Sequence, residues 1–302
     1  LDWLKGGDLH HNGAFMLMDL YSFSTDMFKW QNNPIEEVHG LKSPIGENAY
    51  DWFLSKKTIP ALTDALPAEL PFWNEVLEHP DYDDYWKERS LEQHLKDIKP
   101  AILVVGGAYD TDDCYGALNT YKLIRENSPS TDLHFVYGPW SHGGWHEKDY
   151  AGLGQIDSWG GLSEHFMENI EFPFFSYYLE GKGKKPEPVY AYSSGSDSWQ
   201  TMDVWPQSES VPYYLHSENK ISNLLPQVDF SASTYTSDPD SPVPFMEDPS
   251  KRNKAYMVAD QSFALNRPDV LTFVGEPLKD VMKLEGPVGV DLYVSATTDD
   301  AD

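Results

Sequence analysis

Ala101-Ile102-Leu103-Val104-Val105-Gly106-Gly107-Ala108-Tyr109-Asp110 is the stretch whose reading decides the fold. A short, unbroken apolar run ended by a glycine pair suits a strand buried on both faces of a parallel sheet. In open α/β sheets, ligands bind outside the carboxyl ends of the strands, and Asp110 follows this strand directly. Downstream, Asp112 or Asp113 is placed to cap a helix running to about Asn127, which Pro129 and Ser130 close. Leu133-His134-Phe135-Val136-Tyr137 reads as the next strand, ended by Gly138-Pro139. Leu162 to Leu179 reads as a long helix stopped by Gly181 and Gly183. Strand, helix, strand, helix at these lengths implies parallel strands with crossover helices.

Working outward, residues 1–99 carry helix-length patches such as Asn48 to Lys56 and Pro71 to Glu78, with no sustained strand alternation. They read as mostly helices and loops. Residues 100–185 form the α/β core. Residues 186–302 are β in texture. Short runs recur between turn signals at Val189 to Tyr192, Val211 to His216, Ala255 to Val258 and Val270 to Val274, and Val288, Val290, Leu292 and Val294 alternate with smaller or polar residues. Many short strands with regular turns suggest a sandwich or jelly roll. The opening at Leu1, without a methionine, and the stop at Asp302 straight after a strand pattern lead us to expect a piece truncated at both ends.

The chain has 302 residues and a formal net charge of −27, which disfavours nucleic acid and anionic membranes as partners. No apolar run is long enough to span a bilayer. A single cysteine, Cys114, excludes an internal disulfide.

His142 lies in Gly138-Pro139-Trp140-Ser141-His142-Gly143-Gly144, just past the second strand. An Asp on one strand end and a His on the next is the way α/β-hydrolases end a triad whose chain order is Ser, Asp, His. The Asp would fix the imidazole tautomer, and the His would take the serine proton and return it to the leaving group. None of the serines lies in a Gly-x-Ser-x-Gly motif, so the nucleophile is expected outside this chain. Loss of a triad nucleophile costs on the order of 10⁶ in turnover, so the chain alone is expected to be inactive.

Several stretches then carry a specific resemblance. They are Gly7-Asp8-Leu9-His10-His11-Asn12-Gly13-Ala14-Phe15, His79-Pro80-Asp81-Tyr82-Asp83-Asp84-Tyr85-Trp86, Gly107-Ala108-Tyr109-Asp110 with Asp112-Asp113-Cys114-Tyr115-Gly116-Ala117, and Gly138-Pro139-Trp140-Ser141-His142. Further along come Ser198-Trp199, Val204-Trp205-Pro206, Ser237-Asp238-Pro239, Pro242-Val243-Pro244, Asp260-Gln261-Ser262-Phe263 and Arg267-Pro268-Asp269-Val270-Leu271. In this order the chain resembles the cocaine esterase / X-Pro dipeptidyl-peptidase group of serine hydrolases, and within it the glutaryl-cephalosporin acylases and α-amino acid ester hydrolases. The resemblance implies an α/β-hydrolase core with a helical cap and a C-terminal jelly roll. It implies Asp110 as triad acid and His142 as triad base. It also implies cleavage of esters or amides of acylated amines, amino acids or β-lactams through an acyl-enzyme. Members are often exported, which is compatible with a periplasmic or secreted parent.

Other residues have two readings. Tyr109, Trp140 and Trp145 either line an apolar acyl pocket or anchor the loops on the core. Asp83 and Asp84 either cap a helix or, as the resemblance implies, join carboxylates that bind a substrate ammonium group. Such carboxylates would favour a cationic acyl group and repel a glutaryl one. Asp8, His10, His11, His142 and His146 offer metal-type donors. The adjacent His10 and His11 point apart on a strand, however, and no His-Glu-x-x-His or cysteine pair is present, so no metal is expected. No cofactor is expected. A small ester or amide substrate is the expected partner, a homo-oligomer is left open, and the alternative to an enzyme is a binding or structural module with idle triad remnants.

Overall fold

The computed structural model describes residues 1–11, 14–26, 43–157, 160–206, 210–227 and 230–297. Asn12 and Gly13, quoted above, and part of the expected helical cap lie outside the described residues. Two compact units form: residues 1–203 with 248–259, and residues 204–247 with 260–302.

The first unit opens with a short antiparallel pair, β1 (His10–His11) and β2 (Ala14–Phe15), followed by α1 (Leu17–Asp26). Four short helices come next: α2 (Ala49–Lys56), α3 (Ile59–Asp64), α4 (Pro71–Glu78) and α5 (Asp84–Arg89). Their starts follow local chemistry. Asn48 and Thr58 accept N–H groups of the first turns of α2 and α3, and Pro71 opens α4 at a position where no intrahelical N–H is needed. The helices bury Leu20, Tyr21, Leu62, Leu70, Trp73, Val76 and Trp86 against Leu4 and Leu9. Buried indoles keep partners: Trp73 Nε1 donates to Thr63 Oγ1 at 2.8 Å and Trp86 Nε1 to the His79 carbonyl at 2.7 Å.

The sheet contains β3 (Ile102–Gly107), β4 (Leu133–Gly138), β5 (Val189–Ser193) and β6 (Ser198–Met202) in that spatial order. β3, β4 and β5 are parallel, and β6 returns antiparallel to β5. Helix α6 (Cys114–Asn127) crosses from β3 to β4. From β4 to β5 the chain passes through α7 (Leu162–Phe166), a π turn (Met167–Glu171) and α8 (Phe172–Glu180).

Four expectations need correction here. β3 is half-buried rather than buried on both faces and ends the strand order among the described residues, whereas His134, Phe135 and Val136 of β4 are fully enclosed. The long helix from Leu162 is interrupted by the π turn, which ends two residues before Pro173, a residue that has no N–H for the regular helical ladder. The strand run at Val189, read with the β region, pairs parallel with β4 and so extends the α/β sheet. Ala255 to Val258 is not a strand but part of a 3₁₀ turn (Lys254–Val258) capped by Asn253, whose side chain accepts the Ala255 N–H.

In the second unit the regular ladder among the described residues is β7 (Tyr214–His216) paired with β8 (Lys220–Ser222), plus a bridge from Lys220 to Val274. The alternating run Val288 to Val294 is exposed, with Val288 at 80% and Val294 at 82%, and joins no ladder among the described residues. Alternation specifies which face a strand buries, but the strand itself needs a hydrogen-bonded neighbour.

Candidate active site

The ends of β3 and β4 are laced together by backbone. Ala108 N–H donates to Gly138 O at 2.8 Å and Tyr109 N–H to Trp140 O at 3.1 Å. Two glycines allow this closeness. A Cβ on Gly107 would lie 2.2 Å from Trp140 O, and one on Gly138 would lie 2.1 Å from the Trp140 ring. Trp140 itself is fully buried among Val136, Phe166 and Tyr150. It is therefore a loop anchor and not a wall of an acyl pocket. Tyr109 packs half-buried on the same cluster, as does Trp145.

His142 follows in a tight turn. Gly144 N–H donates to Ser141 O at 2.9 Å, and Gly143 takes a left-handed φ of 75°. Tyr150 braces the turn from beneath: its hydroxyl accepts the Ser141 N–H at 3.2 Å and donates to Pro139 O at 3.4 Å.

Asp110 is 1% exposed. Its Oδ1 accepts the amides of Asp112 and Asp113, each at 3.1 Å. Its carboxylate meets His142 Nδ1 at 3.3 Å (Oδ1) and 3.2 Å (Oδ2). Nδ1 therefore carries the proton, and Nε2 is the nitrogen left to accept one. The His142 side chain is 55% exposed, on a cleft of about 370 Å³ shared with Asp110, Asp113, Val105, Thr120 and Trp145.

Of Asp112 and Asp113, the two cap candidates, Asp113 takes the N-cap position of α6, and its side chain makes no capping hydrogen bond. Its Oδ2 stands instead 3.4 Å from His142 Nδ1. The hydrogen bond to Asp110 is the main cause that holds the imidazole pKa up at about 9; partial burial works against it, and the charges of Asp110, Asp113 and Asp112 add to it. Burial and the neighbouring Asp110 push the Asp113 carboxyl above its usual range. Burial, then Asp113 and Asp112, push Asp8 up to about 7. The residues that the sequence reading missed at this site are thus Asp113 as a second partner of the histidine, Asp112, and Asp8 as the carboxyl whose charge meets theirs.

The ligand-type atoms of Asp110, Asp113 and His142 lie within 4.8 Å of one another. Two amide donors on Asp110 and one imidazole N–H facing two carboxylates account for that spacing by hydrogen bonding. His146 is committed elsewhere, 2.9 Å from Glu171. Asp83 caps α5 by accepting the Tyr85 N–H at 3.0 Å and pairs with His79 Nδ1 at 2.6 Å. The Asp84 side chain is 90% exposed beside Lys87.

A buried acid and an imidazole held at the ends of adjacent parallel strands, in that chain order, define the α/β-hydrolase class. Residues 1–144 match the X-Pro dipeptidyl-peptidase (S15 family) model, and residues 180–302 match the X-Pro dipeptidyl-peptidase C-terminal non-catalytic domain. The chain belongs to the cocaine esterase / X-Pro dipeptidyl-peptidase family. The cocaine esterase of Rhodococcus sp. (strain MB1 Bresler) is 27% identical over 247 residues, covering 76% of this chain and 41% of the relative. A solved aminopeptidase from a marine sediment Thaumarchaeota archaeon superposes with a TM-score of 0.81 at 28% identity, over 93% of this chain and 47% of that one. An α-amino acid ester hydrolase superposes with a TM-score of 0.78 at 28% identity, over 92% and 46%. The chain thus spans less than half the length of each of these relatives.

Proposed function

We propose that this chain is the acid- and base-bearing part of a serine hydrolase that cleaves esters or amides of small substrates through an acyl-enzyme. The observation that carries this reading is the Asp110 carboxylate, 3.2 Å from His142 Nδ1 and 1% exposed. The serine would come from outside residues 1–302, since no Gly-x-Ser-x-Gly motif occurs within them. Its hydroxyl proton passes to His142 Nε2 as the oxygen attacks the substrate carbonyl. The imidazolium, stabilised by Asp110, then gives that proton to the leaving alcohol or amine as the acyl-enzyme forms. Water repeats the sequence: its proton goes to Nε2, its oxygen to the acyl carbon, and the serine leaves with the proton returned.

For the acyl group, the charge beside the histidine supports a cationic preference. Asp113 and Asp112 carry charge beside the pair, whereas Asp83 and Asp84 are engaged on α5. An ammonium-bearing acyl group is favoured there over a carboxylate-bearing one.

A fluorophosphonate probe on the full-length protein tests the reading. Labelling of a serine, lost in His142→Ala, is expected. No labelled serine would favour a module with an idle acid–base pair. An esterase signal from residues 1–302 alone, abolished by His142→Ala, would contradict an external nucleophile.

A further inference from the structure

Arg252 reaches the acid loop from far along the chain. Its segment, residues 248–259, belongs to the same compact unit as residues 1–203. The segment is fastened at two points: the Ala49 N–H at the start of α2 donates to Ser250 O at 2.6 Å, and Val258 packs on the Trp140 cluster. From there the Arg252 Nε donates to Asp19 Oδ1, and a terminal guanidinium nitrogen lies 3.7 Å from Asp112 Oδ2.

The two carboxylates differ in freedom. Asp19 sits in the first turn of α1, beside Leu20 and Tyr21, which are 2% and 0% exposed. Asp112 sits on the loop, and its amide is one of the two that hold Asp110 Oδ1. On its other side the loop backs onto Gly7, where a Cβ would lie 2.4 Å from Asp112 O. Among the described residues, Asp8, Asp19, Asp110, Asp113, Tyr256, Arg252 and His142 are titratable groups around Asp112. Arg252 is the one among them that stays cationic at every working pH. Without the guanidinium, Asp19 and Asp112 would face each other as like charges, and the loop is the part able to yield.

We propose that Arg252 is a positioning residue for the reaction, fixing Asp112 so that Asp110 keeps its alignment on His142. This rests on the hydrolase reading above. It assigns catalytic consequence to a side chain more than a hundred residues from either member of the pair.

The test compares Arg252→Gln and Arg252→Lys in the full-length protein, with turnover expressed per fluorophosphonate-reactive site so that misfolded molecules do not count. Arg252→Gln is expected to lower kcat about threefold to tenfold with KM changed less than about twofold, because misalignment acts on the transition state. Amide hydrogen exchange in residues 108–114 is expected to quicken. Arg252→Lys, which keeps the charge, is expected to restore most of both. Unchanged kcat and exchange in Arg252→Gln, or equal losses in the two variants, would overturn the proposal. If the wild type carries no reactive serine, the hydrolase reading fails. In that event quickened exchange in Arg252→Gln still upholds the fixing of Asp112 by Arg252, and unchanged exchange overturns it.

Discussion

Asp113 Oδ2 stands 3.4 Å from His142 Nδ1, the same ring nitrogen that Asp110 Oδ2 approaches to 3.2 Å. One imidazole N–H thus faces two carboxylates, one buried and one half-exposed. General-base chemistry needs the neutral ring, and both negative charges favour the protonated one. Asp113→Asn should therefore move the acid limb of kcat/KM to lower pH while leaving Asp110 in place. A shift of half a unit would raise the rate at pH 7 about threefold. A pH–rate profile of the full-length variant checks this, and an upward shift would refute it.

The same geometry makes stability pH-dependent. The folded pKa of His142, about 9, lies above its ordinary value of 6.5. Its stabilising contribution is therefore complete below about pH 6.5 and is lost as pH rises through about 9. Asp8 follows the same sign: its carboxyl is pushed from 3.8 up to about 7, so its contribution is lost as pH rises through 7. Asp8→Asn should stabilise the protein above pH 7, on the order of 1–2 kcal/mol after allowance for solvent screening. The gain should shrink steadily between pH 7 and pH 4. Thermal unfolding midpoints at pH 8.5 and pH 5 provide the measurement, and an equal shift at both would count against the buried-acid account.

Gly138→Ala places a methyl group 2.1 Å from the Trp140 ring, which is fully buried and packed at 5.6 Å from both Phe166 and Trp199. The ring has nowhere to move, so overpacking should cost about 1–3 kcal/mol. His142 lies two residues beyond Trp140, so activity per folded molecule should fall too. Denaturation together with active-site labelling separates the two effects.

Substrate charge should be read by the carboxylates near His142 and not by those on α5. Comparing a phenylglycine ester with a glutaryl amide, Asp113→Asn, which removes a carboxylate lining the His142 cleft, should reduce the preference for the cationic substrate about twofold to fivefold, as expected for a partly screened charge. Asp83→Asn should leave the preference unchanged, because that carboxylate is occupied by His79 and the α5 amide. Equal effects from the two variants would move the selecting group elsewhere.

Sequence alone placed Asp110 and His142, because a buried strand announces its end with glycine and proline, and a parallel sheet gathers strand ends on one edge. Apolar periodicity and caps likewise made β3, β4, α2, α4 and α6 legible. Only the tertiary structure decided what depends on neighbours distant in the chain. It aimed the side chain of Asp113, at the N-cap of α6, toward His142, and it buried Trp140 under the loop instead of beside a substrate. It also gave Val189–Ser193 to the α/β sheet and brought Arg252 to Asp112. Periodicity reports which face of an element is apolar. The partner that a carboxylate or a strand edge meets is set by packing between segments whose separation in sequence carries no local signal.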